Sequence, residues 1–324
     1  MSRLSDIATW TSRHRRLLGA VQLVLLAAFF ISLGWALRHQ LHSAAHDLEN
    51  ANLVLFALGC AALGGYYLVF CVGWMRILAE WEITLSYPDA LRAEMISMLA
   101  KYIPGGIWTP AARVVAARRA GVTDAALVTS SMLLEAGISA VAGVIVFVVA
   151  LPFIDNVDMS PWPLVVFGAV LAVLVQPRVF RPLAGKVLRR LGYTKELPDL
   201  RGRTLSGLLV FYAGTWVLGG LALWLLLRSV GAHPEVSTIV FLGGTAAVGA
   251  IVAVLFVFAP SGLGPREASM YGLLLAVATP GQALGAVALN RLALTAVEVL
   301  LLLVGGLVLR TRHRRLDAAE APSS

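Results

Sequence analysis

Long apolar runs recur along this 324-residue chain and constrain its fold more than any other feature. Residues 17–37, 52–78, 124–151, 204–227, 236–259 and 283–309 are each long enough to cross a hydrocarbon core of about 30 Å, which takes roughly 20 helical residues. The run 164–175 is shorter and lengthened by its flanks. The runs are continuous rather than alternating, which points to helices and away from spanning strands. With 59% hydrophobic and 14% charged residues, a soluble domain could not cover its own surface with polar groups. The expected fold class is an all-α polytopic membrane protein. Its transmembrane domain, residues 17–309, lies between a basic N-terminal segment (1–16) and a tail (310–324) that opens on Arg310, Arg312, Arg314 and Arg315 and turns polar. The net charge of +8 falls mostly outside the apolar runs, where it serves topology and anionic lipid rather than nucleic acid.

Two stretches interrupt this pattern. Lys101-Tyr102-Ile103-Pro104-Gly105-Gly106-Ile107-Trp108-Thr109-Pro110, followed by Arg113, crowds prolines, glycines, aromatics and cations into a few turns. A degenerate copy, Pro260-Ser261-Gly262-Leu263-Gly264-Pro265-Arg266-Glu267, lies about half a chain later. The first break ends a half-length helix over 89–102, because proline excludes the α region for the residue before it and glycine supplies unusual dihedrals. A basic helix over 108–119 follows, with Pro110 in its first turn. The expected shape is a re-entrant half-helix, then a second broken helix, related as an internal pseudo-repeat. Discontinuous helices of this kind form the binding site in many transporters. Helix ends inside a membrane point unpaired N–H groups at an anion, and phosphate suits them. Lys101, Tyr102, Gly105, Gly106, Trp108, Arg113, Gly262, Gly264 and Arg266 are therefore the expected head-group site, with Pro104, Pro110, Pro260 and Pro265 breaking the helices. The alternative is that the breaks only shape the bundle while the cations snorkel.

Glu135, Arg291 and Glu298 sit inside apolar runs, and Glu267 sits at a break. Such charges are costly unless paired or wet, so they form an expected intramembrane network. A structural ion pair, for example Glu135 with Arg291, is the plainer alternative. Arg291 and Glu298 share a helix face but are too far apart to pair directly.

Basic segments assign the sides of the membrane. The N-terminus, the region 92–119, a basic loop over 177–203 and the tail all fall on one side if 268–279 crosses as a short span. That gives about eight crossings with both termini cytoplasmic. His39, His42 and His46 share a helix face, but without cysteine or an orienting partner they read as a polar interfacial helix, and no metal or cofactor is expected. Cys60 and Cys71 lie about 16 Å apart along one helix, too far for a disulfide.

The first motif with Arg113, the later Pro260-x-Gly-Leu-Gly-x-Arg266-Glu267, and Asn290-Arg291 near the start of the last span resemble the lysylphosphatidylglycerol synthase transmembrane (flippase-like) family. The resemblance runs from the first span to the last. It implies an eight-span bundle with re-entrant helices that moves a lipid, such as aminoacylated phosphatidylglycerol or a polyprenyl-linked sugar, between leaflets. The aminoacyltransferase domain of the bifunctional synthases has no counterpart here, so only the translocating part is implied. Pro265 stands where the family leads one to expect a small aliphatic residue.

The expected function is flippase- or scramblase-like translocation of an anionic, aminoacylated or polyprenyl-linked lipid across the cytoplasmic membrane. No nucleotide-binding motif of the Gly-Lys-Ser or Gly-Lys-Thr kind is present, and no catalytic motif, so an enzyme is not expected. The expected partners are lipids with anionic head groups, with a homo-oligomer or a separately encoded lipid-synthesising enzyme as further partners. Two other readings remain open: an integral-membrane lipid-modifying enzyme, and an accessory subunit recruiting soluble enzymes through 178–203. Gly64-Gly65 and Gly219-Gly220 offer small faces for packing within or between chains.

Overall fold

A computed structural model describes residues 50–101, 108–154, 160–190, 193, 196–256 and 259–319, with side chains as far as Val304. The expected first span, His39, His42 and His46, and the stretch Tyr102, Pro104, Gly105 and Gly106 lie outside the described residues. The described chain is all helix with no strands. In order the helices are α1 (Leu53–Glu80), α2 (Tyr87–Ala100), α3 (Trp108–Arg119), α4 (Ala125–Ala150), α5 (Trp162–Leu174), α6 (Pro177–Arg190), α7 (Gly202–Ser229), α8 (Ile239–Leu255), α9 (Pro265–Leu274) and α10 (Pro280–Ala319).

Local chemistry sets the helix starts. Asn52 accepts from the N–H groups of Val54 and Leu55 to begin α1, and Asp124 does the same for Ala126 and Leu127 to begin α4. Thr279 and Gln282 exchange hydrogen bonds as a capping box where α10 starts, with Pro280 in its first turn.

Contacts at the two ends fix the helix directions. Asn52 N–H donates to the Ser229 carbonyl at 2.8 Å, so α1 starts where α7 stops. Thr204 donates to Glu80, so α1 stops where α7 starts. The end holding Glu80 also carries Arg118, Arg119 and Arg201, on helices that leave or reach it. We call it the basic end. At the opposite end Gln282 donates to the Gly231 carbonyl, placing the start of α10 beside the turn between α7 and α8. That end holds Arg228, stacked on Trp224 at 4.9 Å.

The spans approach closely through small residues, as helices in lipid do. A Cβ at Gly220 would lie 2.2 Å from the Ile239 carbonyl oxygen, so α7 and α8 nearly touch backbones. Gly143 and Gly244 let α4 meet α8 in the same way. The outer surface is apolar: Val210, Val166, Leu292 and Leu300 all face outward, Val210 with 75% of its surface exposed. Only a lipid surround makes that favourable.

Five described helices are long and apolar enough to cross a membrane, and α5 with α6 adds one more if that bent pair is a single span. Several expectations are corrected. The basic stretch 177–203 is not simply a loop: its first half is α6, turned 75° from α5. Its cations and aliphatic residues alternate at the helical period, which makes it amphipathic. The helix expected over 268–279 has other bounds. This helix, α9, starts earlier and has ten residues, about 15 Å or half the core. It nonetheless carries the chain back to the end where α10 starts. The last helix does not stop at 309 but runs to Ala319.

Candidate functional site

The two breaks become two hairpins that enter the bundle from opposite ends. From the basic end, α2 runs inward and α3 returns to Asp124, where α4 begins. From the other end, α8 runs inward and α9 returns toward α10. Their tips meet: Ser261 N–H donates to the Lys101 carbonyl at 3.0 Å. The second tip is sharp because Ser261 (φ 54), Gly262 (φ 65) and Gly264 (φ 92) all take left-handed backbone. A Cβ on Gly262 would lie 2.2 Å from the Ala253 Cβ, since the tip folds back on α8. Pro260 opens a short 3₁₀ turn, and Pro265 takes the first position of α9, where its missing N–H costs nothing.

Charged side chains surround this junction. Arg291 donates to both the Ser261 carbonyl and Glu267, each at 3.3 Å. Glu267 also accepts the Gly264 N–H at 2.7 Å, so it caps α9 and ties that cap to α10. Lys101 pairs with the fully buried Glu298, which also accepts from the Tyr67 hydroxyl. The stem of Arg266 passes Gly249, whose added Cβ would lie 3.4 Å from it. The Arg266 Nε is buried and has no hydrogen-bond partner among the described residues. Arg266 lies within electrostatic range of Lys101, Tyr66 and Tyr67.

A second cluster lies within the first hairpin. Arg113 on α3 is 3% exposed and reaches Glu94 on α2, Glu135 on α4 at 2.7 Å, and Ser97 at 3.1 Å. The Tyr212 hydroxyl donates to Glu135 at 3.2 Å. The guanidinium also lies over the Trp74 ring, 4.8 Å from its centre, and Trp74 donates to Ser131.

The structure brings residues of the two sequence-marked stretches together but gives them partners other than those the sequence suggested. Lys101, Gly262, Gly264, Arg266, Glu267, Arg291 and Glu298 come together at the junction. Arg113 and Glu135 form the separate buried cluster. Trp108 opens α3 and is 40% exposed, and Pro110 sits in the first turn of that helix. The suggested pair of Glu135 with Arg291 does not form: Glu135 pairs with Arg113 and Arg291 with Glu267, because the two hairpins lie between α4 and α10. The α9 end is not open for an anion at Gly264, whose N–H is given to Glu267. Glu94, Tyr67, Tyr212 and Ser261 are the residues that sequence reasoning missed. An acidic residue in a half-length helix was the one signal that pointed to Glu94, whereas nothing local marks the two tyrosines.

A family model described as the lysylphosphatidylglycerol synthase TM region matches residues 16–305. No curated protein matches the chain at the threshold of significance. Helices long enough to span, breaks meeting inside the bundle and a family match over nearly the whole length lead to one conclusion: this multi-pass membrane protein belongs to the lysylphosphatidylglycerol synthase transmembrane-region family, and its function concerns membrane lipid.

Proposed function

We propose that the protein moves a lipid with an anionic, aminoacylated or polyprenyl-linked head group between the leaflets of the cytoplasmic membrane. It acts as a transporter and performs no covalent chemistry, and both termini face the cytoplasm with the basic end. The observation that carries this reading is the tip-to-tip contact of two hairpins entering from opposite ends, Ser261 N–H to Lys101 carbonyl. Non-helical backbone at membrane depth is tolerated where it is buried in protein or lines a wet cavity. Two such tips in contact make a natural boundary between the two sides.

The charges around the tips suit a head group. Arg266 has guanidinium capacity to offer a phosphate. Lys101 adds a second cation by exchanging Glu298 for the ligand, and Glu267 and Glu298 serve an amino group on the same lipid. Acyl chains stay in the bilayer, against the outward apolar surface. Tyr102, Gly105, Gly106 and Trp108 belong to the same head-group assignment by their place in the sequence. A separately encoded enzyme supplies the lipid.

The test is reconstitution into vesicles with fluorescent or aminoacylated lipid, following leaflet exposure. Acceleration by the wild type, lowered about tenfold or more in Arg266→Gln, is expected. If no anionic or polyprenyl lipid is accelerated while a control scramblase works in the same vesicles, the reading is wrong. If Arg266→Gln exchanges lipid at the wild-type rate, the junction is not the head-group site.

A further inference from the structure

At the junction the described cations outnumber the carboxylates, Lys101, Arg266 and Arg291 against Glu267 and Glu298; in the cluster beside it the balance is reversed. There, the single cation Arg113 touches two carboxylates, Glu94 and Glu135. Glu94 is 0% exposed, and Arg113 and Glu135 are 3% exposed each. Lys101, the other cation within electrostatic range of Glu94, is committed to Glu298. Among the described residues, the other groups facing the pair carry no positive charge. They are Tyr66, Cys71 and Trp74 from α1, Ser97 from α2, Ser131 from α4 and Tyr212 from α7. A second observation points the same way. Glu94 Oε1 is in ion-pair contact with Arg113, yet neither carboxylate oxygen has a well-aligned hydrogen-bond partner among the described residues, and Oε2 has no cation beside it. An ionised carboxylate oxygen left so in a dry interior is costly, whereas a protonated one needs no cation.

We propose that Glu94 and Glu135 together form a proton-binding site that holds one shared proton, with Arg113 neutralising the remaining charge. Two carboxylates this close to one cation titrate as a pair, not as two independent acids. The position of the proton decides what Arg113 holds together. With the proton on Glu94, Arg113 binds Glu135 and fastens the α2–α3 hairpin to α4. With the proton on Glu135, Arg113 binds Glu94 and the hairpin is closed on itself, released from α4. The tip of that hairpin carries Lys101, one side of the junction. Resting on the proposed translocation, proton movement across this pair is then the step that couples tip separation to a proton gradient.

The site is tested first without reference to transport. Infrared difference spectra of the protein in lipid vesicles, taken through neutral pH, are expected to show the carbonyl stretch of one buried carboxylic acid. The same band is expected to vanish in Glu94→Gln and equally in Glu135→Gln, because either variant leaves one carboxylate to Arg113 and none to protonate. Each single variant keeps a melting temperature near that of the wild type, since glutamine imitates the protonated partner. The double variant, which leaves Arg113 buried without an anion, is expected to melt well below both. Absence of the band in wild type, or its survival in both single variants, overturns the site. Coupling is tested by imposing a pH gradient on vesicles that exchange lipid. A leaflet bias that reverses with the gradient, and is lost in Glu135→Gln, supports it. Exchange indifferent to the gradient overturns the coupling. Vesicles with the band but no exchange at all support the site and count against translocation instead.

Discussion

Arg113 shows why residue type alone does not assign a role. Its guanidinium is a rigid fork that can serve two carboxylates at once, and here it does. Removing it strands the buried Glu94–Glu135 pair without its counter-charge. Arg113→Ala should therefore destabilise the fold by about 3–5 kcal/mol, read from denaturant titration in mild detergent. Arg113→Lys should recover only part of that loss, because an ammonium offers a point charge rather than a fork. Arg266 is the contrast. With no ion pair among the described residues, Arg266→Gln should leave thermal stability within about 0.5 kcal/mol of wild type while lowering lipid exchange. Both arginines stand just beyond a Pro–Gly break in the sequence and look equivalent there. The glutamates that distinguish them come from other helices.

At the scale of the element, the second tip depends on its glycines and the close helix crossings on theirs. Gly262→Ala places a Cβ 2.2 Å from Ala253 at a left-handed φ of 65. The backbone term alone costs roughly 1–2 kcal/mol. The expected readout is a lowered melting temperature together with changed leaflet exchange, since the tip itself must shift. Gly220→Leu drives a side chain into the Ile239 carbonyl and should cost roughly 1–3 kcal/mol by overpacking α7 against α8. A Gly220→Leu protein as stable as wild type would mean that α7 and α8 are not in backbone contact. Several helix starts were legible in advance: the runs from 52 and 124 open on Asn52 and Asp124, and Pro110 lies in the first turn of α3, whereas the start of α9 at Pro265 was expected three residues later. The amphipathic helix α6 was not legible, because a run of cations between apolar stretches reads as a loop until the period is matched to a surface.

For the whole molecule, the hairpins open toward opposite ends. Single cysteines in a background lacking Cys60 and Cys71 test this directly. Gly121→Cys, in the turn between α3 and α4, and Gln282→Cys, at the start of α10, should be labelled by an impermeant thiol reagent from opposite faces of the membrane. Gly121→Cys should react from the cytoplasmic face, where the basic end belongs by the positive-inside rule. Labelling of both from one face would contradict the opposed hairpins.

The sequence by itself determined that this is a helical membrane protein, since runs of about 20 apolar residues have no other stable use. It also determined where the backbone breaks, because proline and glycine act on their own dihedrals and need no partner. It placed charges in the membrane interior and flagged them as costly. Only the tertiary structure decided how that cost is met: Lys101 with Glu298, Glu267 with Arg291, and Arg113 with both Glu94 and Glu135. It also decided that the two breaks, far apart in the chain, touch through the hydrogen bond from Ser261 N–H to the Lys101 carbonyl. The reason is one of range. Backbone preference is a property of neighbouring residues, whereas charge pairing and tip contact depend on which helices the packing of small residues brings side by side.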